Sequence, residues 1–541
     1  MDALFVPLAN AVGASLDQVK LISCLLLSYP LGSIFVRIPA SQPHLRHLFN
    51  VTVALFYLGP MLNMWSGLGQ LLLDVLVTYV VGRGIWARGG VEKGAEKGTA
   101  AVWFIFIFVL GHLMANHVIR AFYNLSYETI EVTGPQMVLV MKLTTFAWNV
   151  YDGRRSEKDL DAWQLSKRVT QYPSLLEFLG YCFYFPGILV GPYLEYADYL
   201  ALVHDTVFTS QNIKSANGKR NLADGRKRVG YRKMLMGLVY LGTFVVLGGQ
   251  WNFTSLLSDE FVKKAMWERI LWCQLYGTME RTKYYAIWTL TEGAAILTGF
   301  GFTGFRPSRS QPGKMRSKTS TFMVITGILT RPKVLLDSWN MKANVWLREC
   351  VYKRVTSPGK KPGFWASMLT FGVSAFWHGA AVGYYLTFFM GGFITTAARL
   401  VRANIRPLVL PPPNSPTTLT KRIYDIIGAL TSLLILNYIA SPFMLLTWKD
   451  SLEAWSRLGW YGHWIIGGGL AFFYLGGAGF CRGLQKKMGV APPSKKDTKK
   501  KDPDTDTETK SAPGSGATTP VGEKSFHLPP AFDGVAPPPK N

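Results

Sequence analysis

Residues 101–118 read AVWFIFIFVLGHLMANHV, and this stretch decides the class of fold. It contains no aspartate, glutamate, lysine or arginine, and it approaches the ~20 residues that a helix needs to cross about 30 Å of hydrocarbon. Similar apolar runs occur at Leu21–Val36, Met234–Gly249, Ile426–Thr447 and Trp464–Phe480. The sequence therefore predicts an all-α polytopic membrane protein with roughly ten or eleven transmembrane helices and further interfacial helices.

The composition agrees with this class of protein. Of 541 residues, 49% are hydrophobic and 17% are charged, whereas soluble proteins carry about 25% charged residues. Residues 1–19 have no basic start and no clear small-residue cleavage site, so we expect the first span to act as the insertion signal. We assign residues 20–488 to the membrane domain. Residues 489–541 are rich in Pro, Ser, Thr and Lys, which predicts a disordered cytosolic tail.

Positive charge is concentrated in three segments of a chain whose net charge is +25. These segments are Arg154–Lys233, Arg306–Lys318 and Arg331–Lys361, and the positive-inside tendency places them on the cytosolic side. The charge can serve orientation alone, or it can attract a polyanion such as anionic lipid or a phosphate-bearing cosubstrate. No basic domain stands apart from the membrane, which argues against nucleic acid as a partner.

The stretch SAFWHGAAVGYY, residues 374–385, contains the main candidate for chemistry. Apart from tyrosines, His378 is the only strongly ionisable residue between Lys361 and Arg399, and Gly379 and Gly383 can break the helix or allow close packing. An intramembrane titratable group indicates function unless it is a satisfied structural histidine. A neutral imidazole can act as a general base towards a hydroxyl.

Other kinds of chemistry find little support in the sequence. His112 and His117 are five residues apart and do not share a helical face, so we expect no metal. The five cysteines (Cys24, Cys182, Cys273, Cys350 and Cys481) are scattered and predict neither a disulfide framework nor a metal site. No G-x-S-x-G nucleophile elbow precedes a helix.

Residues 331–355, RPKVLLDSWNMKANVWLRECVYKRV, predict an amphipathic helix at or below the membrane interface. Trp339, Trp346 and Cys350 share one side of this helix, with tryptophan as the expected interfacial anchor.

Several separated motifs resemble the membrane-bound O-acyltransferase family, and most of all its lysophospholipid acyltransferase branch, especially the fungal members. They are WN at 339–340, WLRECVYKR at 346–354, GKKPGFWASMLTFGVSAFWHG at 359–379, GYYLTF at 383–388, MKLTTFAWNVYDGR at 141–154 and EFLGYCFYFPGILVGPYLEYADY at 177–199. The resemblance covers most of residues 20–485 and excludes the tail.

The resemblance implies an acyl-CoA-dependent enzyme of the endoplasmic reticulum, built as a helical bundle around a catalytic chamber. It places the catalytic pair at His378 and Asn340. His378 would take the proton of a free glycerol hydroxyl, at sn-2 of a lysophospholipid, and that oxygen would attack the thioester carbonyl of acyl-CoA. Asn340 would orient the histidine or donate to the oxyanion. No acyl-enzyme and no cofactor beyond the cosubstrate acyl-CoA are required.

Further residues around these motifs are candidates for substrate binding. They are Trp339, Asn344, Trp346, Arg348, Tyr352, Lys353, Arg354, Lys360, Lys361, Trp377 and Tyr385. The basic members could bind the phosphates of CoA at the cytosolic mouth of the chamber. The stretch FPGILVGPYLEY, with Pro186 and Pro192, could line the acyl or lipid route where the helix breaks.

Several alternatives remain open at the level of sequence. Cys350 could accept the acyl group as a thioester, although an unpaired cysteine in a helix is more often a small apolar residue. The acceptor could be a sterol, a diacylglycerol or a protein. A transporter would use His378 and Asp74 as proton or substrate sites. The sequence specifies neither the headgroup and acyl-chain preference nor the oligomeric state.

Deletion of residues 491–541 should leave acyl transfer nearly intact, because this part of the tail has a disordered composition and carries no chemical motif. The measurement is the turnover of purified truncated and full-length protein. A truncated protein that inserts normally but loses most of its turnover would contradict this expectation.

Overall fold

The computed structural model describes residues 1–87, 95–125, 129–209, 225–307, 315–319, 339–356, 363–412 and 415–490. Lys360, Lys361 and the tail beyond residue 490 lie outside these ranges. The first helices are α1 Asp2–Val12, α2 Leu16–Phe35, α3 Pro43–Phe56, α4 Trp65–Ala87, α5 Ala95–Phe122, α6 Thr133–Asp152, α7 Ala162–Lys167, α8 Leu175–Cys182, α9 Tyr196–Val203 and α10 Thr206–Thr209. The later ones are α11 Arg226–Leu247, α12 Asp259–Val262, α13 Met266–Leu297, α14 Met341–Leu347, α15 Phe364–His378, α16 Val382–Asn404, α17 Arg406–Val409, α18 Leu419–Leu445, α19 Trp448–Arg457, α20 Tyr461–Phe472 and α21 Ala478–Lys487.

Short irregular helices and one hairpin connect these elements. The π-helical turns are Tyr57–Met61, Arg348–Tyr352 and Phe473–Gly477, and the 3-10 turns are Glu157–Asp159 and Phe253–Leu257. Strands β1 Phe302–Pro307 and β2 Met315–Thr319 pair in an antiparallel manner. This hairpin is the one sheet in the described ranges and a small departure from the predicted all-α fold.

The predicted class, a polytopic helical membrane protein, is confirmed. Within the described ranges, six helices are long and apolar enough to cross a membrane: Leu16–Phe35, Trp65–Ala87, Gly98–Phe122, Arg226–Leu247, Leu419–Leu445 and Tyr461–Lys487. The sequence predicts ten or eleven spans, which is more than the six described helices that meet this criterion. Helices α6, α13 and α16 have 20, 32 and 23 residues and are long enough, but they carry more polar and charged side chains than these six helices. Such side chains can face other helices instead of lipid.

Helix α6 lies at the centre of the larger hydrophobic core, and nearly all of its residues are buried. It packs against α4, α5 and α8. Phe146 is central to an aromatic cluster, with ring centroids 4.6 Å from Phe178 and 5.4 Å from Tyr196. Because aromatic pairs at these separations add to the free energy of area burial, this cluster fixes α8 and α9 against α6.

The backbone is non-helical and buried between α8 and α9, over residues 183–195. The break expected around Pro186 and Pro192 is therefore confirmed. The buried Lys142 donates from Nζ to the carbonyl oxygens of Tyr181 at 2.8 Å and Cys182 at 2.9 Å. The N–H of Tyr184 also donates to the Tyr181 carbonyl at 3.4 Å, and the lysine adds a charge-assisted hydrogen bond to each of these two buried carbonyls at the end of α8.

A buried ion pair joins this segment to α14. Nζ of Lys342 lies 2.7 Å from Oε2 of Glu195, and both side chains are almost inaccessible to solvent. The ammonium group also lies 5.4 Å from the centroid of the Tyr193 ring. Lys342 is in the first turn of α14, so the pair fixes the position at which this helix begins.

Lys342→Ala should destabilise the protein, because it leaves the Glu195 carboxylate buried without its partner, a change that costs about 3–5 kcal/mol. The double variant Lys342→Met, Glu195→Gln removes both charges and should recover much of this loss. The measurement is the midpoint of thermal unfolding in detergent.

The matched control is the exposed pair Lys263–Glu260, whose side chains are 69% and 76% accessible. Lys263→Ala should have little effect, since exposed ion pairs contribute about 0–1 kcal/mol. An unfolding midpoint for Lys342→Ala as high as that of Lys263→Ala would contradict the assignment.

Candidate active site

His378 is the last residue of α15, and Gly379 ends the helix. Gly379 has φ +136° and ψ −169°, a conformation that residues with a Cβ rarely adopt. A Cβ at this position would also lie 3.3 Å from Cγ and Nδ1 of His117. The predicted break at Gly379 is confirmed. Gly383 serves close packing instead, since a Cβ there would lie 2.0 Å from the carbonyl oxygen of Pro442.

The His378 ring lies among aromatic side chains, and the residue as a whole is only partly exposed. Its centroid is 4.6 Å from that of Trp377, 5.0 Å from Phe388, 4.9 Å from Phe443 and 5.7 Å from Tyr384. No carboxylate among the described residues forms an ion pair or hydrogen bond with the ring. An imidazolium is therefore poorly stabilised there, and the neutral ring retains a nitrogen that can accept a proton.

His117 lies beside His378, and sequence reasoning did not identify it as a neighbour of this site. Its ring contacts the backbone around Trp377 and Gly379, and its Nε2 is buried without a hydrogen-bond partner in the described part of the chain. The spacing of five residues correctly separates it from His112, which bonds elsewhere. Its proximity to residue 378 depends on the packing of α5 against α15, which spacing within α5 does not reveal.

Asn340 is the N-cap of α14. Its backbone is left-handed, with φ 45° and ψ 64°, and Oδ1 accepts a hydrogen bond of 3.2 Å from the N–H of Ala343. Asparagine suits both requirements, because it tolerates this conformation better than most residues and is among the best N-caps. Its amide nitrogen makes no hydrogen bond within the described ranges and so remains a free donor.

Trp339, immediately before Asn340, packs on one face of α13. Its ring centroid is 5.0 Å from that of Trp288, 5.6 Å from Tyr284 and 6.1 Å from Tyr285. These four rings therefore form an aromatic platform next to Asn340.

Trp346 connects α14 to α15. Its ring centroid lies 5.7 Å from that of Trp377, and its Nε1 donates to Oγ1 of Thr144 at 2.8 Å. Nε1 of Trp377 donates to the carbonyl oxygen of Met137 at 3.0 Å. Trp346 is fully buried, so its expected role as an interfacial anchor is wrong: it packs the interior.

The two tryptophans bring the helices of Asn340 and His378 together on α6. Trp346 is six residues after Asn340, or about 9 Å along a helix. No hydrogen bond joins Asn340 to His378 in the described part of the structure.

The basic candidates after Trp346 are already paired with carboxylates. Arg354 binds Asp152 through both terminal nitrogens, at 2.8 and 2.5 Å, and its guanidinium lies 4.3 Å from the Trp148 ring centroid. Lys353 contacts Asp161 at 2.6 Å and Glu349 at 2.7 Å. Arg354 is almost fully buried, whereas Lys353 is 29% accessible, so Lys353 is the more available to an incoming ligand.

The remaining candidates occupy several environments. Nδ2 of Asn344 donates to the carbonyl oxygen of Trp339 at 2.9 Å, and Arg348 pairs with Glu349 at 2.8 Å. Tyr352 is buried, and the Tyr385 ring is 6.5 Å from that of Phe389. Binding of substrate by these side chains stays a prediction, as it does for Lys360 and Lys361 outside the described ranges.

Asp74, which the sequence left without a role, lies in a buried polar network. It accepts from Nδ1 of His112 at 2.7 Å and from Nε2 of Gln136 at 2.9 Å, and Gln136 in turn accepts from Asn116 at 2.8 Å. The network links α4, α5 and α6. Hydrogen-bond donors thus compensate the carboxylate inside the bundle.

Cys350 is fully buried in the π-helical turn after α14, and its sulfur lies 3.4 Å from Oγ1 of Thr145. Burial raises the pKa of the Cys350 thiol to about 12. A thiol that stays protonated at neutral pH is a poor nucleophile.

Known proteins resemble this chain over most of its length. The sequence model of the membrane-bound O-acyltransferase family matches residues 119–441, which include Asn340 and His378. A lysophospholipid acyltransferase of Schizosaccharomyces pombe is 35% identical over 484 residues, covering 87% of this chain and 89% of the relative. One of Saccharomyces cerevisiae is 33% identical over 480 residues, covering 86% of this chain and 75% of the relative. The human membrane-bound glycerophospholipid O-acyltransferase 2 is 29% identical, covering 85% of each chain. With the family model matching more than half of its length, this chain belongs to the membrane-bound O-acyltransferase family.

Proposed function

We propose that this protein transfers a fatty acyl chain from acyl-CoA to the free sn-2 hydroxyl of a lysophospholipid, in the membrane of the endoplasmic reticulum. The observation that carries the proposal is the environment of His378, an imidazole at a helix end, among aromatic rings and without a described carboxylate partner. The names of the relatives support a lysophospholipid as the acceptor. The product serves phospholipid synthesis and remodelling.

In the proposed reaction, His378 accepts the proton of the acceptor hydroxyl as its oxygen attacks the thioester carbonyl. The carbon–oxygen bond forms, the carbon–sulfur bond breaks, and CoA leaves as a thiolate. The imidazolium returns the proton to the thiolate, so the products are a phospholipid and CoA, with no net change in protons. Because the base starts neutral, no prior deprotonation is needed.

Asn340 donates its free amide N–H to the oxygen of the tetrahedral intermediate. The side chain is held by its own cap, since Oδ1 is engaged with Ala343 while Nδ2 remains available. A donor fixed before reaction needs no reorganisation when charge develops, which makes it effective in transition-state stabilisation.

The phosphates of CoA would meet the basic surface around Lys353 at the cytosolic mouth. Lys353 is partly accessible, and it could exchange Asp161 for a phosphate. Arg354 is held by a bidentate bond to Asp152 and would act by shaping this surface. We expect the tail to lie on the same, cytosolic, side.

The acceptor is tested by a panel of lysophosphatidylcholine, lysophosphatidylethanolamine, lysophosphatidylserine, lysophosphatidic acid, a sterol and diacylglycerol. Purified protein should transfer label from acyl-CoA to one or more lysophospholipids without any ion gradient. Transfer only to sterol or diacylglycerol would contradict the proposed acceptor.

His378→Ala should fold but lose transfer by roughly 10²–10⁴-fold, the usual contribution of a general base. The measurement is turnover per folded protein, normalised to a monodisperse gel-filtration peak. His463→Ala is the matched control, because His463 also lies among aromatic rings and bonds to Tyr438 at 2.6 Å. A folded His378→Ala protein with near wild-type turnover would show that the ring is structural.

Asn340→Asp separates the two tasks of Asn340. Aspartate keeps the cap, because its carboxylate can accept from the Ala343 N–H, but it lacks the amide donor. If the amide stabilises the oxyanion, Asn340→Asp should lose about 10²–10³-fold in kcat. Near wild-type kcat in this variant, together with low activity in Asn340→Ala, would mean that capping is the only task.

Cys350→Ala should retain most of the activity, because a buried, protonated thiol is not needed for direct transfer. Turnover is measured beside a search for labelled acyl groups bound to protein after denaturation. An inactive Cys350→Ala variant together with an acyl-thioester on wild-type Cys350 would overturn the one-step mechanism.

A further inference from the structure

Arg281 lies near the middle of α13, the longest helix of the described structure. The helix has 32 residues and so extends for about 48 Å, more than the ~30 Å of a bilayer core. A charge packed between helices is costly unless it has a partner or a ligand. The neighbouring charges on this helix have partners: Lys283 lies 3.5 Å from Glu280, and Glu292 lies 3.0 Å from Lys233.

The described contacts of the Arg281 guanidinium are with neutral oxygens. Nη1 donates to Oδ1 of Asn437 at 2.6 Å, and Nη2 donates to Oγ1 of Thr278 at 2.9 Å. No carboxylate in the described part of the chain lies within ion-pair distance of it. Two of the five N–H groups of the fork are thus engaged, and the residue as a whole is only half-buried.

The structure provides for this arrangement. Asn437 is buried, and its Nδ2 donates to Oε1 of Gln274 at 2.7 Å, so its Oδ1 is directed at the guanidinium. A Cβ at Gly277 would lie 2.6 Å from this oxygen, which explains a glycine at this position of α13. The guanidinium is therefore held in place without being neutralised.

The position of Arg281 relates it to both candidate catalytic residues. Tyr284, Tyr285 and Trp288 follow at helical spacings of three, four and seven residues, so they share its face of α13. These are the rings that pack on Trp339, next to Asn340. Measured along the helix axis, Arg281 thus lies about 5 Å from Tyr284, the first ring of the aromatic platform.

The second relation runs through α18. Asn437 lies six residues, or about 9 Å, before Phe443, whose ring packs against His378. The hydroxyl of Tyr284 lies 3.6 Å from the sulfur of Met444, so α13 and α18 stay in contact between these points. Arg281 therefore lies where α13, which packs next to Asn340, meets α18, which packs against His378.

We propose that Arg281 binds the phosphate of a substrate inside the chamber, and that this phosphate is the phosphodiester of the lysophospholipid. The inference rests on the proposed function. Phosphate oxygens suit the planar fork of arginine, and an anion would supply the counter-charge that the described residues do not. In a lysophospholipid, only two carbons and one oxygen separate the sn-2 hydroxyl from phosphorus. A phosphate at Arg281 would thus place that hydroxyl towards His378, whatever the headgroup.

The experiment uses the full-length protein in nanodiscs, with initial rates measured while each substrate is varied in turn. Arg281→Gln should raise KM for lysophosphatidylcholine about ten-fold or more and leave KM for acyl-CoA within about two-fold, as expected for loss of a charge-assisted hydrogen bond. Arg281→Lys keeps the charge but not the planar fork. Its KM for lysophosphatidylcholine should lie between those of the wild type and Arg281→Gln. It also provides a folded variant if the glutamine variant is unstable.

A second acceptor tests the phosphate itself. Monoacylglycerol offers the same hydroxyl without phosphate, so any transfer to it should be equal in wild type and Arg281→Gln. Arg399→Gln is the matched control. That guanidinium also contacts hydroxyls, Ser367 at 3.4 Å and Thr396 at 3.3 Å, but lies towards the far end of α16 from His378. Arg399→Gln should leave KM for lysophosphatidylcholine and KM for acyl-CoA unchanged.

The outcomes separate the sources of phosphate. A rise confined to KM for acyl-CoA would support a phosphate site but assign it to CoA. Folded Arg281 variants with both KM values unchanged would overturn the inference and leave Arg281 as a tie between α13 and α18. A wild-type protein that transfers nothing to any lysophospholipid would instead refute the proposed function.

Discussion

The contact between Trp346 and Trp377 determines how the candidate site is assembled. Asn340 and His378 lie on different helices, and no described hydrogen bond joins them. Their helices meet where the two indole rings pack, and each indole N–H is directed to α6, one to Thr144 and the other to Met137. Buried tryptophans need a partner for this N–H, so the two hydrogen bonds fix the positions of both helices along α6. The position of the base relative to the amide follows from two rings that themselves do no chemistry.

A second constraint is that polar groups inside the bundle need partners from the protein, because hydrocarbon offers none. Lys142 meets this need for the carbonyls that end α8, and His112 and Gln136 meet it for Asp74. The irregular stretch between α8 and α9 is possible for the same reason. Nε2 of His117 is one of several buried polar atoms without a hydrogen-bond partner in the described part of the chain, and it belongs to the ring beside His378. The Arg281 guanidinium is bonded to neutral oxygens of Asn437 and Thr278.

The sequence predicted the features that depend on composition and on neighbours along the chain. Apolar runs indicated the membrane fold, and the glycine after His378 indicated the end of a helix. The motifs indicated the family. The span count was less well determined, because helices such as α6 and α13 face other helices and are not required to be apolar. Periodicity placed Trp339 and Trp346 on one side of a helix, yet it could not tell burial in the core from anchoring at an interface.

Pairing between distant segments was the part that the sequence could not supply. The basic run at Lys353 and Arg354 is a good pattern for binding phosphates, but Asp152 and Asp161, about two hundred residues earlier, already neutralise these two side chains. Arg281 gave no pattern at all, since Glu280 precedes it and Lys283 follows it. Judged by charge along the sequence, Lys353 and Arg354 are the better candidates for binding an anion. Judged by their partners in the structure, Arg281 is the better candidate. An anion that approaches Arg354 must compete with a bidentate carboxylate, whereas one that approaches Arg281 replaces no described charge. For an anionic acceptor whose hydroxyl must reach a neutral base, the less conspicuous arginine is the better placed.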